Sequence, residues 1–170
     1  MWRGLMRSLL LVVVVLVVIT GVVASPGPAG AGFNGDGHLD VVFVGLYDHR
    51  VCVGDGAGDF SCSIVGRPWP RRSLTGVALG DVDDDGHLDM VSSASWRDAD
   101  WLCLGDGSGG FSCSDLSTDT QNSRGVALGD VDGDGDLDAV FATSDQANRV
   151  CEGDGSGGFT CANVSPRTDY

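Results

Sequence analysis

Gly80-Asp81-Val82-Asp83-Asp84-Asp85-Gly86-His87-Leu88-Asp89 is the stretch around which the rest of the chain is arranged. It returns 49 residues later as Gly129-Asp130-Val131-Asp132-Gly133-Asp134-Gly135-Asp136-Leu137-Asp138. A worn copy, Gly32-Phe33-Asn34-Gly35-Asp36-Gly37-His38-Leu39-Asp40, starts 49 residues before Asp81. Counted from Asp81, carboxylates stand at positions one, three and five. Gly fills position six, and a last Asp fills position nine.

Calcium is a hard cation that takes six to eight oxygens in flexible geometry. Alternating carboxylates, a glycine turn and a returning Asp supply that donor set. The spacing predicts metal ligands at Asp81, Asp83, Asp85 and Asp89, and again at Asp130, Asp132, Asp134 and Asp138. Position seven, His87 or Asp136, is expected to contribute its backbone carbonyl. In the worn copy Gly32 stands at position one and Asn34 at position three, leaving Asp36 and Asp40 as the charges. Weak binding or none is expected there. Asp and Gly also favour plain turns, but four carboxylates within nine residues repel one another unless a cation is present. An EF-hand needs Glu at position twelve and flanking helices. Position twelve here is Ser92 or Phe141, and the flanks are strand-like. A dockerin-type loop fails for want of a following helix.

Working outward, each acidic loop lies between short apolar runs. In the second unit these are Gly76 to Gly80, Leu88 to Ala94, Trp101 to Leu104 and Gly110 to Ser114. The third unit repeats them at Gly125 to Gly129, Leu137 to Thr143, Arg149 to Cys151 and Gly158 to Cys161. The first unit has Leu39 to Leu46, Arg50 to Val53 and Phe60 to Val65, with no counterpart of the first run. Short runs, glycine-rich turns and no helical apolar spacing predict an all-β fold. Repeats cover 33–66, 74–115 and 124–162, and a period near 49 residues marks a repeat architecture. Runs apolar on both faces predict sheets stacked against one another.

The six cysteines, Cys52/Cys62, Cys103/Cys113 and Cys151/Cys161, pair at a spacing of ten. Fifteen connectivities exist for six cysteines, and the repeat favours pairing within each unit. Opposed residues across a hairpin have close Cα atoms, which suits a disulfide. A thiolate metal site is the weaker reading, since no C-x-x-C motif is present.

Residues 1–24 read as a signal peptide. Arg3 and Arg7 precede an apolar run from Leu9 to Ile19, and Val22-Val23-Ala24 offers small residues for cleavage. Residues 25–32 form a Pro/Gly-rich lead-in. The alternative is an uncleaved anchor, although the run is short for a full span. A secreted, extracellular location is expected, with membrane anchoring as the alternative. The chain of 170 residues carries a net charge of −14 and no Lys. Half of its 24 acidic residues lie in the three loops, where a cation can neutralise them. Nucleic acid is excluded as a partner, because binding it requires a basic surface.

Gly-Val-Ala-Leu-Gly-Asp-Val-Asp-x-Asp-Gly-x-Leu-Asp, at Gly76–Asp89 and Gly125–Asp138, resembles the FG-GAP/VCBS repeats of integrin-α-type β-propellers. The later Leu104-Gly105-Asp106-Gly107-Ser108-Gly109-Gly110-Phe111, repeated at Glu152 to Phe159, resembles the same family. The resemblance spans about residues 33–162. It implies a propeller blade per repeat, with calcium in the loop joining a blade's first two strands. It also implies extracellular adhesion, ligand recognition or lectin-like binding. Propellers close with about four to eight blades. Three repeats predict an open, partial propeller of about three blades, completed by self-association or a partner chain.

The remaining features are secondary. The Gly-rich stretches at Gly54 to Gly58, Gly105 to Gly110 and Gly153 to Gly158 open no helix and read as hairpin turns rather than phosphate cradles. Arg67-Pro68-Trp69-Pro70-Arg71-Arg72 reads as a connector. Trp69, Trp96 and Trp101 are candidates for stacking on sugar, with packing against the next blade the favoured reading for Trp96 and Trp101. His38, His49 and His87 show no triad spacing with a nucleophile. Asn163-Val164-Ser165 is a glycosylation pattern weakened by Pro166. The function expected is a secreted, non-enzymatic calcium-binding module for adhesion or ligand binding, its partner a protein or glycan. The alternatives are a calcium-dependent lectin and an accessory domain of a secreted hydrolase.

Overall fold

The structure is a computed structural model, and it describes residues 32–45, 49–65 and 73–164. The expected signal peptide, residues 25–31 of the lead-in, the connector with Trp69, and Ser165 lie outside the described residues. So does the side chain of His49.

Eleven strands and no helix are formed among the described residues, as the alternation of short apolar runs and glycine turns requires. They build three antiparallel sheets. The first holds β1 (Val41–Val44), β2 (His49–Gly54) and β3 (Phe60–Val65). The second holds β4 (Leu74–Gly80), β5 (Asp89–Ala94), β6 (Trp101–Gly105) and β7 (Phe111–Asp115). The third holds β8 (Ser123–Gly129), β9 (Asp138–Thr143), β10 (Arg149–Gly153) and β11 (Phe159–Asn163). Within each sheet the strands follow chain order, so each sheet is a meander. The first sheet has no counterpart of β4 or β8 among the described residues. The sheets do not close into a barrel, and the open three-blade arrangement expected from the sequence is what they form.

The first strands of the second and third sheets begin earlier than the apolar pattern places them, at Leu74 and Ser123 rather than Gly76 and Gly125. In both, the pairing register slips just before the glycine, between Leu74 and Gly76 and between Ser123 and Gly125. A bulge carries the strand two residues further while breaking the alternation that marks it in sequence.

Neighbouring sheets pack face to face. Phe33, Val42, Val51 and Val65 of the first unit meet Met90 and Trp101 of the second. Val82, Val91, Leu102 and Leu116 of the second meet Ala139 and Phe141 of the third. Strand β5 lies in the middle of this stack, and all six of its residues are buried. Burying one side chain of the size of Phe141 is worth about 2–3 kcal/mol, so these two seams are the core of the molecule.

The three disulfides are those the spacing favours, Cys52–Cys62, Cys103–Cys113 and Cys151–Cys161. Each joins directly opposed residues of the last hairpin in its sheet. Their Cα atoms stand 3.9, 4.0 and 3.8 Å apart, the close approach of an opposed pair.

Candidate metal centre

In the second and third units the acidic loop leaves the first strand of the sheet and returns as the second, while in the first unit it leads directly into β1. In the second unit it runs from the end of β4 to Asp89, the first residue of β5. The loop turns sharply at positions four and six, where the backbone is left-handed. Position six is glycine throughout: Gly37, Gly86 and Gly135, with φ of 80°, 87° and 103°. Position four is Gly35 and Gly133 in two loops but Asp84 in the other, at φ 58°. Asp is among the few side chains that tolerate this region.

These turns draw three carboxylates together. Asp81, Asp83 and Asp89 each place a ligand oxygen within 4.8 Å of the other two. Asp130, Asp132 and Asp138 form the same group in the third unit. Asp85 and Asp134, expected as ligands, do not join these groups. Each instead turns one oxygen to the N–H of position seven, with His87 donating at 2.8 Å and Asp136 at 3.0 Å. Position-seven side chains lie over the hairpin of their own sheet. A Cβ added to Gly107 would meet the His87 ring at 2.4 Å, and one added to Gly155 would meet the Asp136 carboxylate at 2.8 Å. His38 covers Gly56 in the same way. The Asp136 carboxyl is pushed above its usual range by desolvation, and by the negative charge of Asp134, Asp84, Asp154 and Asp130.

The backbone supports both clusters. Asp81 accepts hydrogen bonds from the N–H groups of Asp85 and Gly86, and Asp130 from those of Gly133 and Gly135. Asp83 and Asp132 accept from the N–H two residues on. These bonds aim the side chains without using every oxygen lone pair.

The worn loop is built differently. Asn34 donates its amide to Asp36 at 2.8 Å, and Asp36 accepts from the His38 N–H. The first of these bonds reinforces the second in holding the Asp36 carboxyl below its usual range. A Cβ at Gly32 would lie 2.8 Å from the His38 carbonyl and 2.9 Å from Asp40. The space for a position-one carboxylate has closed.

Position nine has a role the sequence reading missed. Asp89 is fully buried, and its two oxygens accept from the N–H groups of Val82 and Gly105, both at 2.8 Å. Asp138 joins Val131 to Gly153, and Asp40 joins Phe33 to Gly54, in the same way. This carboxylate therefore ties the loop to the end of the strand that opens the last hairpin in all three units, β2, β6 and β10. Burial pushes the Asp89 carboxyl up, and its two N–H partners oppose that. The signal was present as an Asp retained in every copy, followed by a glycine at the end of the strand that opens each last hairpin. That glycine is sterically required: a Cβ on Gly105 would stand 2.4 Å from the Leu88 carbonyl.

The chemistry of the clusters is that of a hard cation site. Carboxylate oxygens alone suit calcium or magnesium better than softer metals. The donor set fits calcium, with Asp81, Asp83 and Asp89, or Asp130, Asp132 and Asp138, as the side chains that would hold it. The position-seven carbonyl and the exposed Asp85 or Asp134 complete the candidates. A bound cation would neutralise carboxylates that otherwise repel.

Of the tryptophans, Trp101 is only 6% exposed and packs into the seam between the first two units, so it is no sugar platform. Trp96 is 81% exposed and adopts a left-handed backbone, as does Arg97. The Gly-rich stretches are hairpin turns, joining β2 to β3, β6 to β7 and β10 to β11.

The sequence model of the FG-GAP-like repeat family matches residues 32–92 and 81–141. Each match begins at position one of an acidic loop and ends three residues past the following one. No curated protein matches the chain.

Proposed function

The chain belongs to the FG-GAP-like repeat family, and we propose that it is a secreted calcium-binding module that works by binding a ligand rather than by turnover. The observation that carries this reading is the pair of three-carboxylate groups, in equivalent loops of two units. Calcium stiffens the loop between the first two strands of each blade and relieves its charge. The other loop edges of the blades are then free to hold a protein or glycan. Three disulfides favour an oxidising, extracellular setting. His38 and His87 are exposed and lie over hairpin glycines, which favours binding over acid–base chemistry.

Calorimetric titration of the secreted protein with calcium tests the reading. Two sites are expected, with dissociation constants on the order of 10⁻⁴–10⁻³ M, the range of extracellular modules. Asp83→Ala and Asp132→Ala should each abolish one site. Binding that survives in the double variant, or no binding by the native protein, would sink the proposal.

A further inference from the structure

The two seams between sheets are built alike. In the first, the hairpin of the second unit reaches over the worn loop, and Gly109 N–H donates to the Phe33 carbonyl at 2.9 Å. In the second, Gly157 N–H donates to the Val82 carbonyl at 3.2 Å. Phe33 and Val82 share position two of their loops, and they are 3% and 2% exposed. Glycines of the earlier sheet admit the later one. Gly76 faces the backbone of Gly125, and Gly80 lies under Leu128 and Leu137.

Both ends of the stack present one half of this same seam with nothing against it among the described residues. On the third sheet, position two is Val131, which is 53% exposed. Gly125 and Gly129, the counterparts of Gly76 and Gly80, face open space. Val164, the counterpart of the buried Leu116, is 60% exposed. On the first sheet, Leu39 and Phe60 are 61% and 50% exposed. Their counterparts Leu137 and Phe159 pack into a seam. Phe43 is 38% exposed, and its counterpart Phe141 is fully buried. Gly58, the counterpart of Gly109 and Gly157, turns its N–H back to its own Asp55 at 3.1 Å. Among the described residues, six of the seven exposed large apolar side chains belong to these two faces, Trp96 being the exception and Ile64 the sixth. Apolar surface gathered in this way marks an interaction site.

We propose that a second copy of this chain docks head to tail, seating the first sheet of one copy on the third sheet of the other. Gly58 N–H then donates to the partner's Val131 carbonyl, and Leu39 covers its Gly129 as Leu137 covers Gly80. The occupant follows from continuity with the internal seams, because one chain carries the loop-and-hairpin part of both halves, although the first sheet has no counterpart of β8 among the described residues. A head-to-tail contact closes into a ring when its rotation allows. Two copies of the three sheets formed by the described residues bring six together, within the range of about four to eight at which propellers close, whereas three copies bring nine. A closed dimer is the expected assembly, and it does not depend on the calcium reading.

Light scattering on the secreted, disulfide-bonded chain at micromolar concentration should give twice the single-chain mass. Val131→Asp and Phe60→Asp, both at exposed positions, should each weaken association by about a hundredfold, since a carboxylate would be buried unpaired. Mixing the two variants should restore dimers, because one intact seam can form between them. A single-chain mass for the native protein overturns the proposal. So does a dimer unaffected by either variant, or a mixture that stays dissociated. A single-chain mass that rises only on adding a different protein overturns it in favour of a partner blade. Calcium titration is read independently, so failure of one reading leaves the other standing.

Discussion

Asp40, Asp89 and Asp138 show how one side chain can serve two purposes. Each is buried, and each uses both oxygens to accept backbone N–H groups from segments 7 and 14–16 residues away. In the second and third units the same carboxylate also stands in a three-carboxylate group that could hold a cation. The worn first loop separates the two roles, since Asp40 keeps both bonds where no carboxylate group has assembled. Asp40→Asn replaces one acceptor with a donor facing an N–H group. It is expected to lower stability by about 1–3 kcal/mol in chemical denaturation and to leave the calcium stoichiometry unchanged. A change in stoichiometry would assign Asp40 a ligand role instead. Sequence spacing exposed this residue as an acid at a fixed position. It did not expose the partner, because Gly54 is reached only after the chain has run out along β1, turned and come back along β2.

At the scale of the element, the unit of construction is the last hairpin of each sheet. Its register sets cysteine opposite cysteine, so a spacing of ten becomes a cross-strand bridge. The tip is held by Asp106, which accepts from the Ser108 hydroxyl and N–H and from the Gly110 N–H. Those bonds, the Ser108 hydroxyl foremost, keep its carboxyl below the usual range. Replacing Cys103 and Cys113 together by Ala frees a loop of about ten residues. A loss of about 2–3 kcal/mol is expected from the chain-entropy argument. The variant's melting temperature should fall, and its calcium affinity should change little. Equal loss of calcium binding at the neighbouring loop would show that the hairpin positions the site directly. The hairpin was legible in the sequence because turn glycines and opposed cysteines are local signals. The bulges at the start of β4 and β8 were not, because they interrupt the alternation that announces a strand.

Across the whole molecule, the sheets are joined by groups far apart in sequence. Thr75 donates its hydroxyl to the Ser123 carbonyl at 2.9 Å, and the Ser123 hydroxyl bonds the buried Asp100 at 2.9 Å. Arg149, 3% exposed, holds Asp119 of the β7–β8 connector at 2.6 Å, although Asp119 is 57% exposed. Asp119→Ala leaves this buried guanidinium without its carboxylate. A loss of about 1–2 kcal/mol is expected, a buried cation raising the value above that of an ordinary surface pair. In an Arg149→Met background the same substitution should cost almost nothing, and a double-mutant cycle reads the difference. Additive effects would mean that the pair contributes nothing to holding the connector.

The sequence by itself determined the strands, the acidic turns, the cysteine pairs and the repeat. Each depends on residues close along the chain, through turn chemistry, two-residue alternation and hairpin register. Only the tertiary structure decided how one unit meets the next. Gly109 finds Phe33, Gly157 finds Val82, and the acid of position nine turns out to be a buried brace. The first two contacts come from packing one sheet on another, between residues separated by tens of positions, while the brace joins a loop to the far end of a strand in its own sheet. The same packing decides which apolar faces are covered inside the stack and which are left at its ends.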